Sequence, residues 1–164
     1  MHEKSIELLN KAVADELMAV HQYMYFHFHC DDQGLDLLSG LFKRTAIEEM
    51  MHIEKIADRI LFLKGDVDMK PSSEIEKVKD VKKMLEIARN MEEGSIKDYN
   101  ECANECQKVS DSASKKLFEE LVLDEERHYG QYDNELGHLE KYGSQYLALQ
   151  SIERSKNIST GKTE

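Results

Sequence analysis

The sequence predicts an all-α fold, in which four long helices form a bundle and a short fifth helix follows. Apolar residues recur at steps of three and four along most of the chain, which is the period of an amphipathic helix. The 164 residues include only eight glycines and one proline, so few positions interrupt this pattern. The length suits a single compact domain that covers residues 1–164.

Each half of the chain contains two predicted helices joined by a turn. The four helices are expected near residues 5–31, 35–64, 80–108 and 111–142. In the first half the turn is indicated by the segment Asp31-Asp32-Gln33-Gly34. In the second half it is indicated by Ser110 and Asp111, and Asp111 suits the N-cap of the following helix.

The remaining segments are connections and the C-terminal end. Residues 65–79, which contain Pro71, form the only long connection, and it would let the second hairpin cross over rather than continue up and down. The short fifth helix is expected near residues 144–153. The polar tail 155–164 is predicted to be disordered.

Each long helix has one stripe of residues that would face the bundle interior. On the first helix the stripe consists of Leu9, Val13, Glu16, Val20, Tyr23, His27 and Cys30. On the second it consists of Leu38, Phe42, Thr45, Glu49, His52, Ile56 and Leu63. On the third it consists of Val81, Leu85, Ala88, Glu92, Tyr99 and Cys106. On the fourth it consists of Phe118, Leu121, Glu125, His128, Tyr132, Leu136 and Leu139.

One pattern of glutamate and histidine occurs twice within these stripes. In each half a Glu is followed 33 residues later by a second Glu and, three residues beyond, by a His. The residues are Glu16, Glu49 and His52 in the first half and Glu92, Glu125 and His128 in the second. The midpoint of each 33-residue interval falls at or beside the predicted turn, so the two glutamates of each half are expected at equal depth, roughly 25 Å from it.

The pattern predicts a metal site. Residues three apart lie on one face of a helix, so each Glu-x-x-His presents a carboxylate beside an imidazole. A single such motif would be ordinary surface in a chain with 34% charged residues, but six matching residues on inward stripes are not. Four buried carboxylates would each cost several kcal/mol if ionised and unpaired, so a cation is required. Carboxylate and imidazole together suit iron or manganese.

Charge and composition limit the partners and the compartment. The net charge of −11 makes nucleic acid an unexpected partner, and no apolar run approaches the length of a membrane span. The N-terminal residues Met1-His2-Glu3-Lys4 lack a signal-peptide core, so a cytoplasmic location is expected. Cys30, Cys102 and Cys106 are consistent with a reducing compartment and are expected to be small buried hydrophobes.

The chain resembles the bacterioferritins over nearly its whole length. The resemblance is carried by Asp15-Glu16-Leu17, Gln22-Tyr23, Glu49-Met50-Met51-His52, Arg59-Ile60-Leu61-Phe62-Leu63 and Leu123-Asp124-Glu125-Glu126-Arg127-His128. It implies a ferritin-like four-helix bundle with a long crossover between the second and third helices. It also implies the role of each ligand: terminal for Glu16 and Glu92, bridging for Glu49 and Glu125, and bound to one metal each for His52 and His128.

The same resemblance implies a ferroxidase. Two Fe²⁺ ions would neutralise the four carboxylates, and two metals bridged about 3.5 to 4 Å apart deliver two electrons together to O₂ or H₂O₂. In the family the Fe³⁺ product is stored as a mineral inside a shell of 24 subunits built from two-fold dimers. A ferredoxin or a reductase would supply electrons for iron release. Tyr23 and Tyr99 are either core aromatics near the centre or, for Tyr23, a redox or hydrogen-bonding group.

Met50 suggests a second cofactor. It points roughly 130° away from the inward face of its helix, and Leu17, Met24 and Phe28 form an outward apolar stripe on the first helix. Such stripes usually mark subunit interfaces. Met50 therefore either packs across a dimer contact or, as the resemblance implies, ligates haem b together with its counterpart in a second subunit. Met51 is the nearest competitor for this role.

The chain departs from the family at one place, and other functions compete. Bacterioferritins often carry a His and an Asp as an inner-surface iron site, where this chain has Arg44 and Glu48, and Arg cannot ligate iron at neutral pH. A rubrerythrin-type peroxidase or oxidase would normally add a Cys-x-x-Cys iron domain. A Dps-like mini-ferritin would build its site at a subunit interface. A non-enzymatic helical scaffold that sequesters iron is the remaining alternative.

Overall fold

The computed structural model describes residues 2–162, and it contains five helices and no strand within that range. The helices are α1 (Glu3–Asp32), α2 (Asp36–Phe62), α3 (Val81–Lys108), α4 (Ser112–Tyr142) and α5 (Ser144–Ser159). The predicted all-α bundle is confirmed, and the four long helices begin and end within three residues of the predicted positions. No helix in residues 2–162 is both long and apolar enough to cross a membrane.

The four long helices form two hairpins, α1 with α2 and α3 with α4. The crossover from α2 to α3 runs along α1 and is held to it by hydrogen bonds. Asn10 accepts from the Asp68 backbone N–H at 2.8 Å, and Gln22 accepts from the Glu76 N–H at 2.7 Å. The crossover therefore travels in the same direction as α1, which starts α3 at the opposite end of the bundle and places α1 against α3 and α2 against α4.

The apolar core consists of two clusters, one toward each end of the bundle. The first includes Leu9, Val13, Ile56, Tyr99 and Phe118. The second includes Tyr23, Phe26, Phe42, Leu85 and Tyr132. The six residues of the duplicated pattern lie in the layer between these clusters.

Asp111 begins α4 as the turn signal predicted. Its side chain is almost fully buried and accepts hydrogen bonds from the Ser114 backbone N–H at 3.1 Å and from Arg59 Nη2 at 2.6 Å. Burial opposes ionisation of this carboxyl, but the hydrogen bonds outweigh that effect and lower the pKa of Asp111 to about 2. Asp111 thus joins the end of α2 to the start of α4.

The fifth helix is longer than predicted. It was expected to end near residue 153 and to be followed by a disordered tail, but it continues to Ser159, so that prediction is wrong for residues 155–159. Neither glycine nor proline interrupts the sequence before Gly161, which has a positive φ of 69°. Arg154 also anchors the helix, because its guanidinium contacts the backbone oxygen and carboxylate of Asp31. Residues 163–164 of the predicted tail lie outside the described residues.

We expect Asp111→Asn to destabilise the fold by about 2 kcal/mol at pH 7. Asn still caps a helix, so the loss comes from the buried charge beside Arg59. The pKa of Asp111 is lowered in the folded state, so its contribution is complete above pH 4 and is lost as the pH falls toward 2. Urea unfolding of both proteins at pH 7 and at pH 3 measures this difference.

Asp80→Asn is the matched control. Asp80 caps α3 through the Lys83 N–H at 2.9 Å and is exposed, so the substitution should cost little. Equal losses of stability in the two variants would contradict a special role for the charge of Asp111.

Candidate metal centre

The structure brings the six residues of the duplicated pattern together in the middle of the bundle. All six are buried, with at most 3% of each residue exposed. One comes from α1, two from α2, one from α3 and two from α4. The 33-residue interval has this effect because each turn folds one helix back on the other, which sets the two glutamates of a hairpin at the same depth.

The first group of ligand atoms surrounds the Nδ1 atom of His52. This nitrogen lies 3.4 Å from Glu16 Oε1, 2.8 Å from Glu49 Oε2 and 3.3 Å from Glu125 Oε1. The four side chains could hold one metal ion, because one ligand atom from each lies within 4.8 Å of the others.

The second group surrounds the Nδ1 atom of His128. This nitrogen lies 3.8 Å from Glu92 Oε2, 3.2 Å from Glu49 Oε1 and 3.1 Å from Glu125 Oε2. Glu49 and Glu125 belong to both groups, and each turns one oxygen toward each histidine. In this arrangement the two shared carboxylates could bridge a pair of metal ions.

The donor atoms fit a cation better than they fit one another. Glu49 Oε2, His52 Nδ1 and Glu125 Oε1 are buried and have no hydrogen-bond partner among residues 2–162. Buried polar atoms are nearly always satisfied, so three unsatisfied atoms that converge on one point indicate a missing ligand. A cation bound there would satisfy all three.

A second set of residues, which the sequence analysis missed, holds the histidines from outside. His52 Nε2 lies 3.1 Å from Asp124 Oδ2, and His128 Nε2 lies 2.6 Å from Glu48 Oε2. These contacts fix each ring with its Nδ1 atom toward the centre. A signal was present in the sequence, because an acidic residue precedes the second Glu of both halves. Glu48 is thus engaged with a histidine, while Arg44 lines a separate cavity beside α5.

Two tyrosines hold Glu16 and Glu92 by contacts that cross between the two halves of the chain. Tyr23 Oη donates to Glu92 Oε1, and Tyr99 Oη donates to Glu16 Oε1. Each tyrosine therefore binds the first Glu of the other half. Both rings are also buried core aromatics, so the two roles considered for them from the sequence are compatible.

The crowded carboxylates alter the acidity of the cluster. Burial, and then the negative charge of Glu49, raise the pKa of Glu16 to about 8. Burial likewise raises the pKa of Glu92 to about 8 and raises the pKa of Glu49. Burial would lower the pKa of His52, but the close carboxylates of Glu125, Glu16 and Glu49 favour its protonated form, outweigh burial and raise that pKa. Protons therefore balance the charge of the metal-free cluster, and a bound metal must displace them.

A cavity of about 200 Å³ leads to the centre between α1 and α3. Glu16, Glu49 and Glu92 line its inner end, and Asp15 and Asp98 line its outer end. Lys11 Nζ contacts both outer carboxylates, at 3.1 Å and 2.7 Å. The cavity thus opens this face of the centre, and Lys11 spans its outer end.

Met50 lies on the outer side of α2, 52% exposed, and away from the six ligands. Met51 is also exposed, at 46%. Cys30, Cys102 and Cys106 are free and buried.

Comparison with known proteins identifies the family. The family model of the ferritin-like domain matches residues 6–142. The chain is 34% identical over 145 residues to the bacterioferritin of Desulfovibrio desulfuricans, covering 88% of this chain and 81% of that protein. It is 35% identical over 147 residues to the bacterioferritin of Rhodobacter capsulatus, covering 89% and 91% of the two chains.

A solved structure supports the same assignment. The crystal structure of Desulfovibrio desulfuricans bacterioferritin, described with its di-iron site in different catalytic states, matches 90% of this chain with a TM-score of 0.89 and 34% identity, and 86% of that chain is covered. The fold predicted from the resemblance, a ferritin-like four-helix bundle with a long crossover between the second and third helices, is thereby confirmed. The chain belongs to the ferritin-like family and, within it, to the bacterioferritins.

Proposed function

We propose that this protein oxidises Fe²⁺ to Fe³⁺ at a di-iron centre and stores the product as a ferric mineral. The observation that carries the proposal is the pair of ligand groups that share Glu49 and Glu125. Their four carboxylates balance the charge of two Fe²⁺ ions, and a pair of irons held so close supplies two electrons together to O₂ or H₂O₂. All six ligands come from one chain, which favours this reading over a mini-ferritin with an interface site.

The protein's own groups bind iron and handle protons. Fe²⁺ reaches the ligands through the cavity between α1 and α3, past Asp15 and Asp98, which Lys11 joins at the outer end. Burial raises the pKa values of Glu16 and Glu92 to about 8, and their protons leave as iron binds because the positive charge of the metal stabilises the ionised carboxylates. Tyr23 and Tyr99 hold the terminal carboxylates in place throughout.

Storage requires a shell, and the exposed apolar residues of this chain support one. Leu149 and Ile152 of α5 are 65% and 63% exposed, and exposed apolar surface of this kind usually marks an interface. We propose a 24-subunit shell built from two-fold dimers, as the family suggests. Size-exclusion chromatography with light scattering would measure the assembly, and a monomer or an isolated dimer would contradict it.

The three free, buried cysteines suit the reducing cytoplasm as the location of the protein. A ferredoxin or a reductase would return electrons when iron is released.

We further propose that haem b binds between two copies, with Met50 of each as an axial ligand. The exposure of Met50 on the outer side of α2, beside the exposed Ile47, supports this position. A thioether ligand of this kind tunes the potential of the iron in haem.

Removal of a terminal ligand should abolish rapid iron oxidation. We expect Glu16→Ala and Glu92→Ala each to bind one Fe²⁺ per subunit under anaerobic conditions where the wild type binds two, and to oxidise Fe²⁺ at least about 10-fold more slowly. Absorbance of Fe³⁺ after aerobic addition of Fe²⁺ measures the rate. Addition of H₂O₂ without O₂ identifies the preferred oxidant.

Glu93→Ala is the matched control for Glu92→Ala. Glu93 is the next residue on α3 and is exposed, so its loss should leave binding and oxidation unchanged. Oxidation at the wild-type rate in both terminal-ligand variants would refute the proposed centre.

The tyrosines allow a comparison between orientation and electron transfer. If both hydroxyls only orient carboxylates, Tyr23→Phe and Tyr99→Phe should weaken Fe²⁺ binding by similar factors, roughly 10-fold or more, since a hydrogen bond to a charged group is worth about 1.5–3 kcal/mol. Anaerobic Fe²⁺ titration measures this effect. A loss of oxidation rate confined to Tyr23→Phe, with binding intact, would instead assign Tyr23 a redox role.

Met50→Leu should abolish haem binding while leaving iron oxidation intact. Leucine keeps the apolar volume but cannot ligate iron, so the Soret band of the haem-reconstituted wild type should disappear or shift strongly. Met51→Leu is the neighbouring control and should retain the wild-type spectrum. A Soret band unchanged in Met50→Leu and lost in Met51→Leu would reverse the assignment.

A further inference from the structure

One arginine joins the outer partners of both histidines. Arg127 Nη2 lies 2.7 Å from Glu48 Oε2 and 3.1 Å from Asp124 Oδ1. Those two carboxylates contact His128 and His52 respectively. A continuous chain of polar contacts therefore runs from one histidine to the other through Arg127.

This chain of polar contacts covers the face of the centre opposite the cavity. Glu48 belongs to α2, and Asp124 and Arg127 belong to α4, whereas the cavity opens between α1 and α3. The side chains of Arg127, Glu48 and Asp124 are 45%, 39% and 33% exposed, so the chain of contacts forms the surface above the buried histidines. The centre thus has one open face and one face closed by an ion-paired layer.

Arg127 supplies the positive charge that holds the two carboxylates in place. Glu48 and Asp124 carry like charges on either side of the same guanidinium, so without it they would repel each other and turn toward water. Each histidine would then lose the acceptor on its Nε2 atom, which fixes the tautomer and direction of the ring. One residue thereby controls the orientation of two nitrogen ligands.

We propose that Arg127 is a positioning residue of the metal centre. It holds Glu48 and Asp124 on the outer nitrogens of His128 and His52, keeps both Nδ1 atoms aimed inward, and closes the α2–α4 face to exchanging metal ions. The inference rests on the proposed metal centre. The alternative is an ordinary surface ion pair, which contributes little to stability and would not affect the metal ligands.

Co²⁺ binding without oxygen tests the proposal without reliance on turnover. We expect Arg127→Gln to lower Co²⁺ affinity between 10-fold and 100-fold, as loss of an outer partner of a metal ligand typically does, and to accelerate Co²⁺ release to a chelator. The visible ligand-field spectrum should broaden, because the imidazoles are less constrained. Arg127→Lys should recover part of the affinity, since an ammonium group restores the charge.

The matched control is Arg89→Gln. Arg89 pairs with Asp133 at 3.1 Å, which also joins two helices, but away from the centre. It should bind and release Co²⁺ as the wild type does. Circular dichroism and particle size should be unchanged in both variants, which separates positioning from folding.

A double-mutant cycle identifies the route of the effect. In a Glu48→Ala/Asp124→Ala background, Arg127→Gln should have no further effect on Co²⁺ release, because the carboxylates through which it acts are gone. Wild-type release and spectrum in Arg127→Gln would overturn the role of Arg127 alone. Failure of the wild type to take up Co²⁺ or Fe²⁺ would overturn the metal centre itself, and this inference with it.

Discussion

The structure depends on the burial of four carboxylates in one layer of the bundle. Glu16, Glu49, Glu92 and Glu125 lie where apolar side chains would ordinarily pack, between two apolar clusters. Like charges at this distance in a dry interior strongly disfavour joint ionisation, so they require protons or cations. The raised pKa values of Glu16 and Glu92, the unsatisfied oxygens and the convergent imidazoles are all consequences of this constraint. The same constraint favours a pair of cations, because two divalent ions match the four negative charges.

The two halves of the chain complete each other's sites. Tyr23 of the first half binds Glu92 of the second, and Tyr99 binds Glu16. The acidic residue that holds each histidine also comes from the other half. Neither hairpin could therefore form its ligand geometry alone. The metal centre exists only when the hairpins dock, and the crossover along α1, held by Asn10 and Gln22, sets their relative depth.

The sequence predicted the features that depend on the helical period and on the depth of a residue in the bundle. Residues three and four apart define the inward stripes, and the equal intervals from Glu16 to Glu49 and from Glu92 to Glu125 define one layer. It did not predict contacts that depend on how helices of different hairpins are rotated, such as Glu48 with His128. An acidic residue beside a buried ligand looks like solvated surface until the partner helix is placed. The length of α5 was missed for a similar reason, because Arg154 is anchored by Asp31, which is distant in the sequence.

The position of the layer would let the proposed centre gain and lose metal without loss of the fold. Zinc-finger domains unfold without their metal because they have little other core. Here the apolar clusters on both sides of the layer, and the buried pair of Arg59 and Asp111, hold the helices together independently of any ion. The free-energy cost of burying the carboxylates is confined to a few residues, and bound protons reduce it when no metal is present. A rigid bundle around exchangeable protons or cations is the physical condition that the proposed function requires, because such a site would have to accept iron repeatedly.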